Sequence, residues 1–345
     1  MAAIYNSYLF HMAEPEEEPL RLVGIAKLAA EGEFVRPGHN VQYFTLESRS
    51  LLNRCRAPRM PFAWTVNPYR GCEFACKYCY ARYTHEFMEM HDGLDFERKI
   101  YIKQQASWLL RHDLKKVKRG EQIAIGTATD PYQPAERHYR VTRAILEELA
   151  QHRGFDIGIV TKSDLILRDR DVLQKVAKQN SIYVNLTVTT MDAKLARILE
   201  PRAPRPDLRI KAVEELNQAG IAAGVICAPV VPGITDSEES LEPVVAATKN
   251  AGGKNIFANP LFLKPCSAAV FLPFLEREFP QLVEQYRERY ASHAFVSEAY
   301  QRKISKLIAE LRKKYGIHYE RDPRLTEVEK TRNDTTQLTL FPMGA

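Results

Sequence analysis

The sequence predicts an α/β protein built as a partial barrel of six βα units. Two observations carry this prediction. Six short β-rich runs alternate with amphipathic helical stretches from about residue 62 onward. The runs are almost continuously apolar, as strands of a parallel sheet must be when helices cover it. The 345 residues fit one such barrel with extensions at both ends, and 45% hydrophobic residues suffice for a large core.

Residues 1–45 read as a flexible N-terminal arm with the acidic run Glu14–Glu18 and the turn Pro37-Gly38. The arm has no basic segment leading into an apolar one, so no secretory signal is expected. Arg49, Arg54, Arg56 and Arg59 then form a basic stretch. The barrel is expected over residues 46–265, with strands at Ala63–Asn67, Gln122–Thr127, Asp156–Thr161, Ile182–Val188, Ala222–Val230 and Asn255–Leu263. Helical spacing recurs in Arg140–Gln151, where Ile145, Leu146 and Leu149 share a face, in Arg168–Gln179 and in Asp207–Gly220, with Gly220 as a C-terminal cap. Residues 266–320 read as a helical region packed on the barrel. Its stripe Ile304, Leu307, Ile308 and Leu311 faces a core, and Arg302, Lys303, Lys306, Lys313 and Lys314 form a solvated basic face. The polar residues 321–345 predict a disordered tail.

Composition excludes several classes. No apolar run reaches the roughly 18 residues of a membrane span; the longest, Leu261–Leu275, is broken by Lys264, Pro265 and Pro273. A cytoplasmic location follows as an expectation. The net charge of +6 is compatible with an anionic partner without requiring one. Of six cysteines, three fall within eight positions, while Cys55, Cys227 and Cys266 lie far apart. That pattern points to metal or redox chemistry rather than to a disulfide scaffold.

The cysteines lie in Asn67-Pro68-Tyr69-Arg70-Gly71-Cys72-Glu73-Phe74-Ala75-Cys76-Lys77-Tyr78-Cys79-Tyr80, where the first strand ends. Chemistry in parallel α/β folds sits at the C-terminal ends of strands. Thiolates suit zinc or iron–sulfur clusters. A structural zinc closes with four ligands, and His85 or Cys55 would have to supply the fourth, without the paired spacing of zinc ribbons. A four-iron cluster on three cysteines leaves one iron with an open position.

The spacing C-x3-C-x-aromatic-C, with Tyr78 as the aromatic residue, resembles the radical S-adenosylmethionine (SAM) superfamily. The resemblance implies a 4Fe-4S cluster on Cys72, Cys76 and Cys79 whose open iron chelates SAM. It also implies a one-electron reductant such as flavodoxin or ferredoxin, and a 5′-deoxyadenosyl radical as the hydrogen-abstracting species. Asn67–Arg82, Gly126–Pro134, Thr161-Lys162-Ser163, Glu200–Pro204 with Arg209, and Ala228–Gly233 are similar to the branch related to spore photoproduct lyase, often labelled "DNA repair photolyase". The resemblance covers roughly residues 45–317.

That branch implies roles for several residues. Thr129 and Asp130 would accept the SAM ammonium, although Asp130 and Pro131 also suit an ordinary turn. Lys162 would neutralise the SAM carboxylate, or stand as a solvated lysine. Thr187 and Thr189, alternating on one face of the fourth strand, would reach ribose or carboxylate. Tyr78 would flank the cofactor, and Ile226 and Pro229 would line an adenine site. Glu200 and Arg209 fit an ion pair that fixes the following helix. The sequence departs from the lyase where that enzyme carries a hydrogen-donating cysteine: Ile125–Tyr132 contains none. Cys227 and Cys266 lie after later strands and read by default as structural. Gln337-Leu338-Thr339-Leu340-Phe341 resembles the peptide by which bacterial DNA-processing proteins bind the replication sliding clamp. Three readings follow: a radical SAM enzyme acting on DNA, one acting on a small molecule or peptide, and a non-catalytic metal-stabilised module that binds nucleic acid.

Overall fold

The computed structural model describes residues 22–38, 40–57, 60–118 and 120–318. The expected strands are all present as a parallel set: β4 (Trp64–Val66), β7 (Gln122–Ile125), β8 (Asp156–Thr161), β9 (Ser181–Thr187), β10 (Ala222–Val230) and β11 (Ile256–Pro260). They neighbour one another in chain order, and β3 (Leu52–Arg54) adds an antiparallel edge beside β4. The order is linear from β11 to β3, so the barrel is partial and open.

Helices Val141–Leu149, Arg170–Gln179, Pro206–Gln218 and Glu238–Asn250 connect successive strands. Strand alternation sends Ile157 and Ile159 of β8, and Val184 and Leu186 of β9, to the helix side, where all four are fully buried. The C-terminal region divides its work. Ile304, Ile308 and Leu311 of helix Glu298–Lys314 join that same core. Phe271, Phe274 and Leu275 of helix Pro265–Glu278 pack instead against the cysteine loop, with Phe74, Cys76 and Tyr78.

The expected N-terminal arm needs correction for residues 24–46. They form helix Gly24–Ala30 and strands β1 (Phe34–Gly38) and β2 (Val41–Leu46). These strands build a second sheet, β1-β2-β6-β5, with β5 (Tyr69–Arg70) and β6 (Lys99–Lys103). Pro37-Gly38 lies at a hairpin, and Val41 and Tyr43 alternate into the core with Gln42 outside. Residues 1–21, Arg59, and the tail 321–345 with its Gln337–Phe341 motif lie outside the described residues. No helix among the described residues is long and apolar enough to cross a membrane.

Candidate functional site

The cysteine loop follows β5 and is pinned from several sides. Gly71 turns the chain at φ +82°, where a Cβ would stand 2.6 Å from the Lys99 carbonyl and 2.9 Å from that of Phe96. Glycine is required there. The Cys72 N–H donates to the Phe96 carbonyl and the Lys77 N–H to that of Leu199, both at 2.9 Å. Arg82, fully buried, donates to the Cys76 carbonyl at 3.0 Å and pairs with Glu97 at 2.7 Å. Ser267 of the C-terminal region donates to the Cys79 carbonyl at 2.9 Å.

All three thiols are free and line one cavity. The rest of its wall comes from the strand ends: Gly126 after β7, Lys162 after β8, Thr187 of β9, Ile226 of β10 and Asn259 of β11. Burial pushes the three thiols up, Cys76 to about 12. Asp130 and the neighbouring sulfurs add to this at Cys72, whereas Lys162 opposes it at Cys76 and Arg82 at Cys79. Three thiolates held here would require a compensating cation, such as the iron of a cluster. Among the described residues no three His, Cys, Asp or Glu side chains converge as one metal ion requires. A structural zinc would need a fourth ligand beside the three thiols, whereas three thiols suit a cluster with one open iron.

The turn after β7 is tied to both its neighbours. Asn67 accepts from the Ala128 N–H at 2.8 Å and donates to Thr127 at 3.3 Å. Asp130 accepts from the Thr161 hydroxyl at 2.6 Å, the Lys162 N–H at 2.7 Å and the Tyr132 N–H at 2.9 Å. Burial raises its carboxyl, and these donors work against that rise. The carboxylate thus joins the ends of β7 and β8 while lining the cavity. Thr129 also lines the cavity, yet its hydroxyl is committed to the cysteine loop: it donates to the Gly71 carbonyl at 2.6 Å and accepts from Gln133 at 2.9 Å.

Behind the cavity lies a buried ionic group. Glu200 pairs with Arg209 at 2.5 Å, both about 1% exposed, so the expected pair is present. The Tyr78 hydroxyl donates to Glu200. Burial works to raise the Glu200 carboxyl, but Arg209 and then Lys162 hold it below its ordinary value. Lys162 is opposed by burial and held charged by Cys76 and Glu200, with its ammonium 5.8 Å over the Tyr78 ring. Lys162 is half-buried and lines the cavity. Thr189 departs from the expected alternation. Its strand ends at Thr187, and its hydroxyl donates to Glu200 at 3.3 Å, so it supports the ionic group and does not line the cavity.

Ile226 and Pro229 stand in the cavity wall. Cys227 points into the helix-side core, and neither it nor Cys266 lines the cavity. Sequence reasoning overlooked Arg82, whose clamp depends on distant Glu97, and Asn259. The latter is 4% exposed, lines the cavity, and presents a buried Nδ2 with no partner among the described residues. A lone asparagine in the run Ile256–Pro260 was its available signal.

Three clustered thiols, two of them buried, stand on the strand-end face of a partial (βα)6 barrel, where such folds carry their chemistry. The sequence model of the Radical SAM superfamily matches residues 66–242, just over half of the chain, and the protein belongs to that superfamily. An uncharacterized protein of Mycobacterium tuberculosis is 32% identical over 312 residues, covering 90% of both chains. Another, from Methanocaldococcus jannaschii, is 27% identical over 258 residues, covering 75% of this chain and 92% of its own. Among solved structures, a mutant spore photoproduct lyase with bound AdoMet and dinucleoside spore photoproduct shares the fold, with a TM-score of 0.60, 13% identity and 79% of each chain covered.

Proposed function

We propose that the protein reductively cleaves SAM at a 4Fe-4S cluster held by Cys72, Cys76 and Cys79, and that its radical acts on a nucleic-acid substrate. The observation that carries this is the meeting of three thiols with Lys162 and Asp130 at one strand-end cavity. With one electron from a flavodoxin- or ferredoxin-type donor, the bound cluster would supply the cleavage of SAM to methionine and a 5′-deoxyadenosyl radical.

The chain's own residues supply binding and exclusion of water. Lys162 offers a fixed ammonium for the SAM carboxylate, and Asp130 a fixed carboxylate for its amino group. The Glu200 carboxylate and the Tyr78 ring attract the Lys162 ammonium, and Arg209 fixes Glu200. Ile226 and Pro229 give an apolar wall, and Asn259 an unused donor, for the nucleoside half. Support for the substrate class comes from the structural neighbour, whose ligand is a dinucleoside photoproduct. The cysteine-free stretch Ile125–Tyr132 argues against photoproduct reversal through a cysteine donor at that place.

The test uses anaerobically reconstituted protein with dithionite and SAM. The expected result is 5′-deoxyadenosine, with deuterium passing into it from a deuterated oligonucleotide substrate. Protein that binds a full complement of iron yet never yields 5′-deoxyadenosine contradicts the proposal.

A further inference from the structure

Beside the cavity lies a second group of charges that SAM chemistry does not use. Arg70 of β5 stands opposite Tyr101 of β6, and Lys103 lies two residues further along β6. Ile100 and Ile102 face the main core, while Tyr101 faces the small cluster on the other side. Arg70 and Lys103 therefore share the face turned from the barrel as diagonal cross-strand neighbours, within reach of long side chains.

Among the described residues neither cation has an ion pair. Lys103 is 6% exposed, and among the described residues its ammonium has no hydrogen bond and no ion pair. Asp113, the carboxylate that acts on it, is engaged by Ser50, the Leu51 and Leu52 N–H groups, and Lys116. Arg70 reaches the Thr84 carbonyl at 3.5 Å, and its buried Nε has no partner among the described residues. Burial, and then Arg70, pull Lys103 down to about 7. A buried and a half-buried cation that share no free carboxylate among the described residues are costly, and an anion would relieve them.

The group continues to the cavity. Tyr83 lies within the electrostatic reach of Arg70. The Lys264 ammonium sits 3.9 Å over the Tyr83 ring and 6.0 Å from the Phe262 ring. Phe262 itself lines the cavity and packs on Phe295 at 4.6 Å. Cations interleaved with aromatic rings are what a single strand of nucleic acid recognises, its phosphates on the cations and its bases on the rings.

We propose that Arg70 and Lys103 hold a backbone phosphate of single-stranded DNA, and that Lys264, Tyr83 and Phe262 lead the strand from that phosphate to the cavity. This rests on the nucleic-acid reading above. The test is anisotropy of a labelled single-stranded oligonucleotide of about twelve nucleotides, titrated with cluster- and SAM-loaded protein at several salt concentrations. Lys103→Met and Lys264→Gln should each weaken binding about 5- to 20-fold and lower the salt slope by about 0.7 for each phosphate left without its cation. Lys103→Met should also leave urea stability unchanged or raised, the opposite of what a lysine kept for folding would show. Unchanged affinity and slope in Lys264→Gln and in folded Lys103→Met overturns the proposal. Tighter binding of an RNA strand of the same sequence overturns the assignment to DNA. Deoxyadenosine formation by the wild type is scored separately, so failure of the phosphate site and failure of the cluster reading give different results.

Discussion

The helix side of the parallel sheet and its strand-end face follow opposite rules. On the helix side, Ile157, Ile159, Val184 and Leu186 are fully buried aliphatic residues whose neighbours are other aliphatic residues. Their burial contributes roughly 1.5–3 kcal/mol each, and any similar volume would serve. At the strand ends, Arg82, Glu200 and Arg209 are just as inaccessible, yet they are charged. Such groups cost several kcal/mol to desolvate and repay it only when paired. The two faces teach that burial alone does not separate scaffold from chemistry here. What separates them is whether a buried side chain could be exchanged for a hydrocarbon without loosening the cysteine loop.

Substitutions sharpen this contrast. The largest effect is expected for Cys76→Ala, which removes one cluster ligand: iron content should fall and 5′-deoxyadenosine formation should drop to background. Full cluster chemistry in that variant would refute the ligand assignment. Glu200→Gln and Leu186→Ala form the next pair. Glu200→Gln leaves Arg209 and Lys162 without their carboxylate and should cost about 3–5 kcal/mol. Leu186→Ala opens a cavity in the helix-side core and should cost about 2–5 kcal/mol. Urea denaturation should find both destabilised. Turnover per bound cluster should fall in Glu200→Gln alone, and equal loss in both would erase the distinction between the faces.

Lys162→Met is expected to act on the cofactor rather than the fold. Removing one charge-assisted hydrogen bond should weaken SAM binding by about 10- to 100-fold, read by equilibrium dialysis with cluster content unchanged. The smallest effect concerns His85, buried behind the cysteine loop with Nε2 on the Lys99 carbonyl at 3.1 Å. Burial lowers its pKa from 6.5 to about 4. The unfolded chain binds this proton first, so stability falls as pH drops from about 6.5 to about 4 and is unaffected above that window. Between pH 7.5 and 5.5 the loss should be about 1 kcal/mol. His85→Asn should show a correspondingly shallower fall, and an identical slope would remove His85 from the account.

Much of the fold could be read in the sequence because its strands obey local rules. The β-rich runs and the stripe Ile304, Ile308 and Leu311 state their own partners through spacing. The second sheet escaped because β5 has two residues and its pairing with β6 spans the whole cysteine loop. Residues 34–46 escaped because Pro37-Gly38 reads equally as a loose turn or a hairpin. At the site, the cysteines announce themselves by spacing, whereas Arg82 and Asn259 depend on neighbours that only tertiary packing creates. Thr189 misled for the converse reason: alternation holds within a strand, and β9 ends before reaching it.

The central claim, that Cys72, Cys76 and Cys79 hold a cluster whose fourth iron binds SAM, is tested most directly by electron paramagnetic resonance of the reduced, reconstituted protein. Adding SAM should shift the cluster signal in the wild type, and the Cys76→Ala variant should show no such cluster signal. A reduced-cluster signal in the wild type that is indifferent to saturating SAM would contradict the claim.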